Sequence, residues 1–212
     1  MRTICFKNRP SINGFYSVVG KKESEGPLRQ WFDQIIDDAH FGEKSWEKAE
    51  SKMLLTAVNG ALDVSGLTTE GVDIFLGGDL LNQCAATNYA LRQLEIPYLG
   101  LYGACSTMAE SMILSAGMVN GELAENVVCG AGSHFCTAER QYRYPLEYGG
   151  QRPQTSQWTV TGTGAAVVSK FGVGPYITHA TIGKVVDYGV KDANNMGAAM
   201  APAMRIIGQY IL

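Results

Sequence analysis

One sequence feature constrains the fold of this chain most strongly. It is an extended, mostly apolar run that breaks at a glycine, presents a thiol and continues as an apolar helix. Residues 96–102 form the run, Gly103 breaks it, Cys105 follows, and residues 108–119 are again largely apolar. A strand-to-helix turn of this kind holds a side chain at a helix N-terminus. There, free backbone N–H groups and the helix dipole favour a thiolate or a bound anion. We therefore predict that the functional site lies at Cys105.

Composition limits the classes of protein to which the chain can belong. Its 212 residues are 46% hydrophobic and 17% charged and include 25 glycines, which is typical of a compact α/β fold with tight turns. A formal net charge of −3 argues against broad nucleic-acid binding. Five cysteines without a CxxC pair predict reduced thiols in a cytosol-like compartment, and three isolated histidines argue against a zinc site.

Hydrophobic periodicity predicts alternating helices and strands through the middle of the chain. A helix that starts at Trp46 with Ser45 as its cap leads into this region. The alternation predicts parallel βαβ units with helices on both faces of the sheet. The predicted strands are 72–76, 98–102, 126–130, 162–169 and 176–186, and the other predicted helices are 28–39, 88–94 and 107–120.

Three polar side chains follow the ends of three predicted parallel strands. They are Asp79, Cys105 and His134. In open parallel sheets, ligands bind at the carboxyl ends of the strands, so we expect these three residues at one edge. The competing interpretation is structural: Asp79 would cap a helix, Cys105 would be a small core residue and His134 a loop residue.

The helix after Cys105 carries apolar residues nearly all round, which predicts a buried helix between two sheets; the alternative is a Met-rich interaction surface. Residues 139–157 read as a long irregular segment with three arginines and three tyrosines, suited to a wall around an anion or to a dimer contact.

Residues 200–212 read as an unfinished helix, so we expect a second half to be missing. We expect neither a signal peptide nor a transmembrane helix, so any work at a membrane would be peripheral.

Several motifs together carry a family resemblance over almost the whole chain. The chain resembles the N-terminal half of the thiolase superfamily, which includes the ketoacyl synthases, and within it the stage V sporulation protein AD family of spore-forming bacteria. The resemblance implies a thiolase-like layered α/β/α fold, with residues 1–212 as a single N-terminal domain and the C-terminal half absent. The motifs are GDLLNQ at 78–83, YGACST at 102–107, TAERQYRYP at 137–145, EYGGQ at 147–151 and MGAAMAPA at 196–203.

The resemblance implies a function in the developing spore. Members of this family are thought to bind dipicolinic acid (pyridine-2,6-dicarboxylate), free or as its calcium chelate, during its uptake, together with membrane proteins of the same operon. It implies a non-catalytic binding protein on the cytosol-like side, peripheral to the spore inner membrane. No cofactor is expected beyond Ca²⁺ carried with dipicolinate. Thiolase-like folds usually pair, so by analogy we expect a homodimer.

A flat diacid requires helix N-terminal amides, an arginine fork and a face on which its ring can stack. We expect the amides from the Cys105 turn, and the stacking face from Tyr142 or Tyr144. Asp79 would repel the free diacid unless it is protonated, bridged by calcium or hydrogen-bonded within its own loop, so we favour a structural role for it. The candidate ligand-binding residues are Cys105, Ser106, Thr107, Asp79, Asn82, His134, Arg140 and Arg143.

Two further functions compete with binding. One is an acyl-transferring condensing enzyme with Cys105 as nucleophile, which needs a base and donors for a developing oxyanion. In the superfamily those groups come from the C-terminal half, and here His134 is the only candidate near the edge. Its position does not match the catalytic histidine of the family, so binding is favoured over catalysis. The other is a structural assembly subunit with a vestigial pocket.

Overall fold

The structure is a computed structural model that describes residues 2–142, 159–184, 186–191 and 197–198. The chain divides into two compact units. Among the described residues, the larger unit holds 6–142 and 159–178, and the smaller holds 2–5 and those from 179 onward. The expectation of one domain over residues 1–212 stays a prediction, because both units include stretches outside the described residues.

Eight strands, four α-helices and four short 3-10 turns make up the described secondary structure. In the smaller unit, β1 pairs antiparallel with β8. The larger unit contains the other strands and all four helices. The strands are β1 Arg2–Cys5, β2 Ser11–Gly20, β3 Gln34–Ile36, β4 Ile74–Asp79, β5 Tyr98–Gly100, β6 Asn126–Ser133, β7 Gly162–Ser169 and β8 His179–Ile182, and the helices are α1 Trp46–Ser65, α2 Ala85–Leu94, α3 Thr107–Asn120 and α4 Phe135–Tyr142.

The larger unit is built on a six-stranded sheet of order β3-β2-β7-β6-β4-β5. Strands β4, β5 and β6 are mutually parallel, as their βαβ pattern predicts. Strand β7 runs antiparallel to both β6 and β2, so the sheet is mixed. The parallel part brings the carboxyl ends of β4, β5 and β6 to one edge.

Helix α1 forms as its sequence predicts. Ser45 has an extended backbone and accepts a hydrogen bond from the backbone N–H of Lys48 at 3.3 Å, which caps the first turn. The helix ends at Gly66, whose φ of 71° lies in the left-handed region that glycine adopts without steric cost. Apolar residues of α1 pack against the sheet and against α2.

Near the N-terminus, one predicted helix is wrong and one strand was not predicted. The helix expected at 28–39 is a 3-10 turn at Arg29–Trp31 followed by β3. Strand β2 was missed because Asn13-Gly14 reads as a turn, whereas the structure has a register shift there within a continuous strand. The reason for the glycine is tertiary: a Cβ at Gly14 would collide with the backbone carbonyl of Ala61 in α1.

The predicted strand at 176–186 is shorter in the structure. Of this span, His179–Ile182 forms β8 in the smaller unit, and Tyr176 forms an isolated antiparallel bridge with Ser11 in the larger one. None of the helices in the described ranges combines the length and hydropathy needed to cross a bilayer.

The core consists of two apolar clusters on opposite faces of the six-stranded sheet. Alternate residues of a strand point to opposite faces, so Phe75 and Val128 face α1 and α2, whereas Leu76 and Val127 face α3. All four side chains are nearly inaccessible to solvent. The helices therefore cover both faces of the strands that carry the candidate site.

Helix α3 is buried on one side only. Ser111, Ser115 and Ala116 face the sheet and are inaccessible to solvent, while Leu114 on the opposite side is 43% exposed. The expectation of a helix buried all round is therefore wrong for the described chain. Small side chains let α3 lie close to the sheet, and Met108, Met112 and Met118 are partly buried against the same core cluster. Within the described ranges, one sheet packs against this helix.

Candidate ligand-binding site

The turn that carries Cys105 joins β5 to α3. After β5 the chain enters a 3-10 turn at Ala104–Ser106, and α3 begins at the next residue. Ala104 has a φ of 48°, a left-handed conformation that is uncommon for a residue other than glycine. The thiol of Cys105 is exposed to solvent. The predicted strand-to-helix turn with an accessible thiol is confirmed.

Two hydroxyl groups stabilise this turn from within. Ser106 Oγ donates to the carbonyl of Gly103 at 2.8 Å. Thr107 Oγ1 donates to the carbonyl of Ala104 at 2.9 Å and accepts from the N–H of Gly103 at 3.1 Å. Thr107 is buried, so its side chain belongs to the scaffold of the turn. The backbone N–H of Ser106 donates to the carbonyl of Gly103 at 3.0 Å and that of Thr107 donates to the carbonyl of Ala104, so the turn itself already uses the N–H groups that these two residues were predicted to offer an anion.

Glu110 is a neighbour of this turn that sequence reasoning missed. A Cβ added at Gly103 would lie 2.6 Å from Glu110 Oε2 and 2.5 Å from Ser106 Oγ, so these side chains pack closely over the glycine. Glu110 belongs to the first turn of α3. The sequence offered one signal for it: Glu110 follows Cys105 closely enough to fall in the first turn of the predicted helix. A carboxylate beside the turn partly offsets the attraction of the helix N-terminus for an anion.

Asp79, at the end of β4, caps the N-terminus of α2. Its Oδ2 accepts the backbone N–H of Ala86 at 2.8 Å, and its Oδ1 accepts the backbone N–H of Thr87 at 3.0 Å and the hydroxyl of Thr87. The side chain is buried, and burial raises the pKa of the Asp79 carboxyl above its ordinary value. These contacts match the structural role favoured for Asp79, and none of the three involves Asn82.

The loop after β4 lies against the chain that leads to Cys105. The thiol of Cys84 lies 3.6 Å from the carbonyl of Leu101. A Cβ at Gly78 would collide with that same carbonyl, so the two segments approach as closely as glycine allows. Asn82 is exposed in this loop. The loop that carries Asn82 and the strand exit before Cys105 are therefore packed neighbours.

His134, which follows β6, is fully buried. Its Nε2 lies 2.7 Å from the carbonyl of Ala39 and donates to it, and its Nδ1 accepts the backbone N–H of Cys136 at 3.2 Å. Burial lowers the pKa of His134 below its ordinary value, so the ring is neutral. Both ring nitrogens are thus engaged, and the side chain caps the N-terminus of α4.

The three predicted edge residues do follow adjacent parallel strands. Asp79 pairs in register with Gly132 of β6, two residues before His134, and β5 pairs with β4 on its other side. Of the three side chains, only that of Cys105 is exposed, because the other two fix helix N-termini.

The predicted arginine fork falls at the limit of the described residues. Arg140 lies in α4, and only its backbone is described. Arg143 lies outside the described residues, as do Tyr144 and the rest of the predicted wall up to residue 157. The fork and the stacking face stay predictions.

A buried acid on α1 was also missed. Glu50 is 4% exposed, and its Oε2 lies 2.8 Å from Thr137 Oγ1 of α4. Burial raises the pKa of Glu50 to about 8. The signal in the sequence was its position three residues before Met53 and four before Leu54, on the apolar face of α1. Among the described residues, no group of three or more His, Cys, Asp or Glu side chains could hold a metal ion.

Comparison with solved structures shows a thiolase-like fold. A 3-oxoacyl-[acyl-carrier-protein] synthase III from Aquifex aeolicus superposes with a TM-score of 0.53 at 16% identity, covering 76% of this chain and 53% of that chain. An OleA variant from Xanthomonas campestris gives a TM-score of 0.52 at 13% identity, covering 78% of this chain and 59% of that chain. At this identity the similarity is one of fold, and it confirms the layered α/β class.

The sequence comparisons are more specific. Stage V sporulation protein AD of Bacillus subtilis (strain 168) is 46% identical over 202 residues, which are 95% of this chain. The chain spans 60% of the length of that relative. The family model for stage V sporulation protein AD matches residues 1–211. The chain therefore belongs to the stage V sporulation protein AD family.

Proposed function

We propose that this chain contributes to a non-catalytic binding protein for dipicolinate, free or as its calcium chelate, in the uptake of that compound into the developing spore. The observation that carries the proposal is an exposed Cys105 turn at the N-terminus of α3 in a chain of a sporulation-protein family. Further proposals follow from the family resemblance: membrane proteins of the same uptake complex as partners, a peripheral position at the spore inner membrane on its cytosol-like side, and a homodimer.

The chemistry of the turn is suited to a small anion. The positive end of the α3 dipole attracts a carboxylate. Cys105 is exposed, so a ligand can approach the start of α3. A guanidinium from Arg140 would pair with a second carboxylate in a fork geometry. Glu110 repels a free dianion more than a calcium chelate, so both forms of the ligand belong in the test.

Catalysis is less well supported at this edge of the sheet. Activation of a thiol requires a base that can take its proton. His134 has both ring nitrogens in hydrogen bonds to backbone groups, and Asp79 accepts bonds from the start of α2. These two predicted edge residues therefore hold helices in place, which favours binding as the role of the exposed thiol.

Isothermal titration with dipicolinate, with and without Ca²⁺, tests the proposal. The titration uses the 212-residue chain and, in parallel, the longer Bacillus subtilis relative. We expect saturable heat for the wild type and its loss in Cys105→Trp, because an indole would block the turn. Cys5→Trp is the matched control, since Cys5 is also exposed but lies in the smaller unit.

The outcomes separate the possibilities. No heat from either protein under any metal condition refutes dipicolinate binding. Heat from the relative alone means that the site needs residues outside this chain, and it refutes binding by this chain. If Cys5→Trp and Cys105→Trp both retain the heat of binding to the same extent, the ligand binds away from the Cys105 turn.

An acyl-transferring enzyme is the second candidate, because the thiol is accessible and the structural neighbours are named as synthases. Incubation with acyl-CoA followed by intact-mass measurement tests it. An acyl adduct that is absent from Cys105→Ala would establish a covalent step at Cys105. We expect no adduct.

A further inference from the structure

A buried acid connects two helices beside the candidate site. Thr137 Oγ1 in α4 lies 2.8 Å from Glu50 Oε2 in α1 and 2.9 Å from the carbonyl of His134. Glu50, Thr137 and His134 are at most 4% exposed, so water does not readily replace either contact. The Thr137 hydroxyl therefore stands between two oxygen atoms in a region shielded from solvent.

The number of protons decides how many of these contacts are hydrogen bonds. A threonine hydroxyl has one proton to donate, a carbonyl only accepts, and an ionised carboxylate only accepts. If Glu50 is ionised, the single proton of Thr137 serves one of the two acceptors. If Glu50 is protonated, its carboxyl donates to Thr137 Oγ1, and Thr137 donates to the carbonyl of His134. Only the protonated acid completes both bonds.

The surroundings of Glu50 also favour its protonated form. The charges that act on it are Asp79 from β4 and Glu47 from its own helix, and both are negative. From α4, Thr137 contributes a neutral hydroxyl to the surroundings of Glu50. The acid of α4, Glu139, accepts a hydrogen bond from the Thr159 hydroxyl at 2.9 Å. Burial is the largest effect and raises the pKa of Glu50 to about 8, against the opposing effect of the Thr137 hydrogen bond.

We propose that Glu50 holds a proton that ties α4 to α1, so that release of α4 is coupled to the loss of this proton. Three other contacts that hold α4 do not need that proton: Phe135 N–H donates to Thr161 Oγ1, the ring of His134 bonds to backbone groups, and Thr159 Oγ1 donates to Glu139 Oε1. Arg140 lies on α4, so the tie also positions that residue. The proposal concerns the fold and stands whether or not the chain binds dipicolinate.

The sign of the pH dependence follows from the raised pKa. The folded chain keeps the proton up to about pH 8, whereas released Glu50 loses it near the ordinary glutamate pKa of 4.5. Between these limits, opening of α4 releases a proton, so the helix opens more readily as pH rises. The protection of the α4 backbone amides against hydrogen exchange should fall by up to about tenfold per pH unit in this window and level off above it.

Hydrogen exchange of the α4 amides, corrected for intrinsic rates, tests the tie on the whole chain. The Ala138 amide, which donates to the carbonyl of His134, is the most direct reporter. From about pH 5.5 to about pH 8.5 we expect its protection to fall at least about tenfold in the wild type. In Glu50→Gln, whose amide donates to Thr137 Oγ1 at every pH, we expect a change below about threefold.

Glu125→Gln is the control, because Glu125 is an exposed carboxyl, and we expect it to behave as the wild type. An equal loss of α4 protection in Glu50→Gln and the wild type would refute the tie. Carbon-13 NMR titration of the Glu50 carboxyl in the wild type is independent of any variant. Ionisation of Glu50 at or below about pH 5, near the value for a solvated carboxyl, would also refute it.

Discussion

Replacement of Asp79 by alanine should destabilise the chain more than the loss of an ordinary surface carboxylate. Asp79 is 3% exposed and accepts three hydrogen bonds, two from backbone N–H groups at the start of α2 and one from the Thr87 hydroxyl. Alanine removes both acceptor oxygens and with them all three hydrogen bonds. Thr87 is inaccessible to solvent, so its hydroxyl would be left without that partner inside the protein.

The magnitude follows from these contacts. Loss of a helix-capping carboxylate costs about 1 kcal/mol of unfolding free energy. A buried hydroxyl left without a partner adds about 1–3 kcal/mol. Alanine also removes the cost of burying a charged carboxylate, the same burial that raises the pKa of Asp79. This gain offsets a part of the lost unfolding free energy. We therefore expect Asp79→Ala to lower the free energy of unfolding by about 2–3 kcal/mol. Asp79→Asn should lose less, because its amide oxygen still accepts one bond.

Urea denaturation followed by circular dichroism measures the change. Asp73→Ala is the matched control, since the Asp73 carboxylate also accepts two backbone N–H groups, at 2.7 and 2.9 Å, but is exposed. Water can replace the carboxylate there, so we expect a loss below about 1 kcal/mol. If Asp79→Ala lowers the free energy of unfolding by no more than Asp73→Ala does, burial is not what makes the Asp79 cap essential.

Two further predictions concern glycines and thiols. Gly117→Ala should stabilise the chain by about 0.5–1 kcal/mol, because a Cβ there meets nothing within 4 Å in the middle of α3. Gly60→Ala should destabilise it by about 1–3 kcal/mol, because its Cβ would collide with the ring of Tyr16; equal effects in thermal denaturation would contradict the packing of α1. Iodoacetamide should label Cys105 in the native chain but not Cys129, whose thiol is buried with its pKa raised to about 12, and mass spectrometry that finds Cys129 labelled first would refute this.

Much of the fold could be predicted from local sequence signals. Helix α1 begins at a serine cap and ends at a glycine, and both signals act within a few residues of the helix end. The parallel strands follow from alternation of helical and extended patterns, which short right-handed connections convert into βαβ units. The turn at Cys105 was predictable for the same reason, since an apolar run, a glycine and an apolar helix follow one another directly.

Burial of polar groups could not be predicted in this way. Asp79 and His134 lie at the expected edge, and the helices whose N-termini they cap, α2 and α4, follow them closely in the sequence. Their burial, however, depends on distant segments, as in the contact of the His134 ring with the carbonyl of Ala39, 95 residues away. Glu50 is recognisable only as an acid on an apolar face, and its hydrogen-bond partner Thr137 is 87 residues away.

The sequence by itself determined that α1 starts after Ser45, that β4, β5 and β6 run parallel and that Cys105 stands at a strand-to-helix turn, because neighbouring residues fix backbone conformation. Tertiary structure alone decided that Gly14 lies within a strand under α1, that α3 is covered on one side, and which acids are buried. Solvent access and hydrogen-bond partners depend on segments that are distant in sequence, and these are what separate a ligand-facing side chain from one that holds the scaffold together.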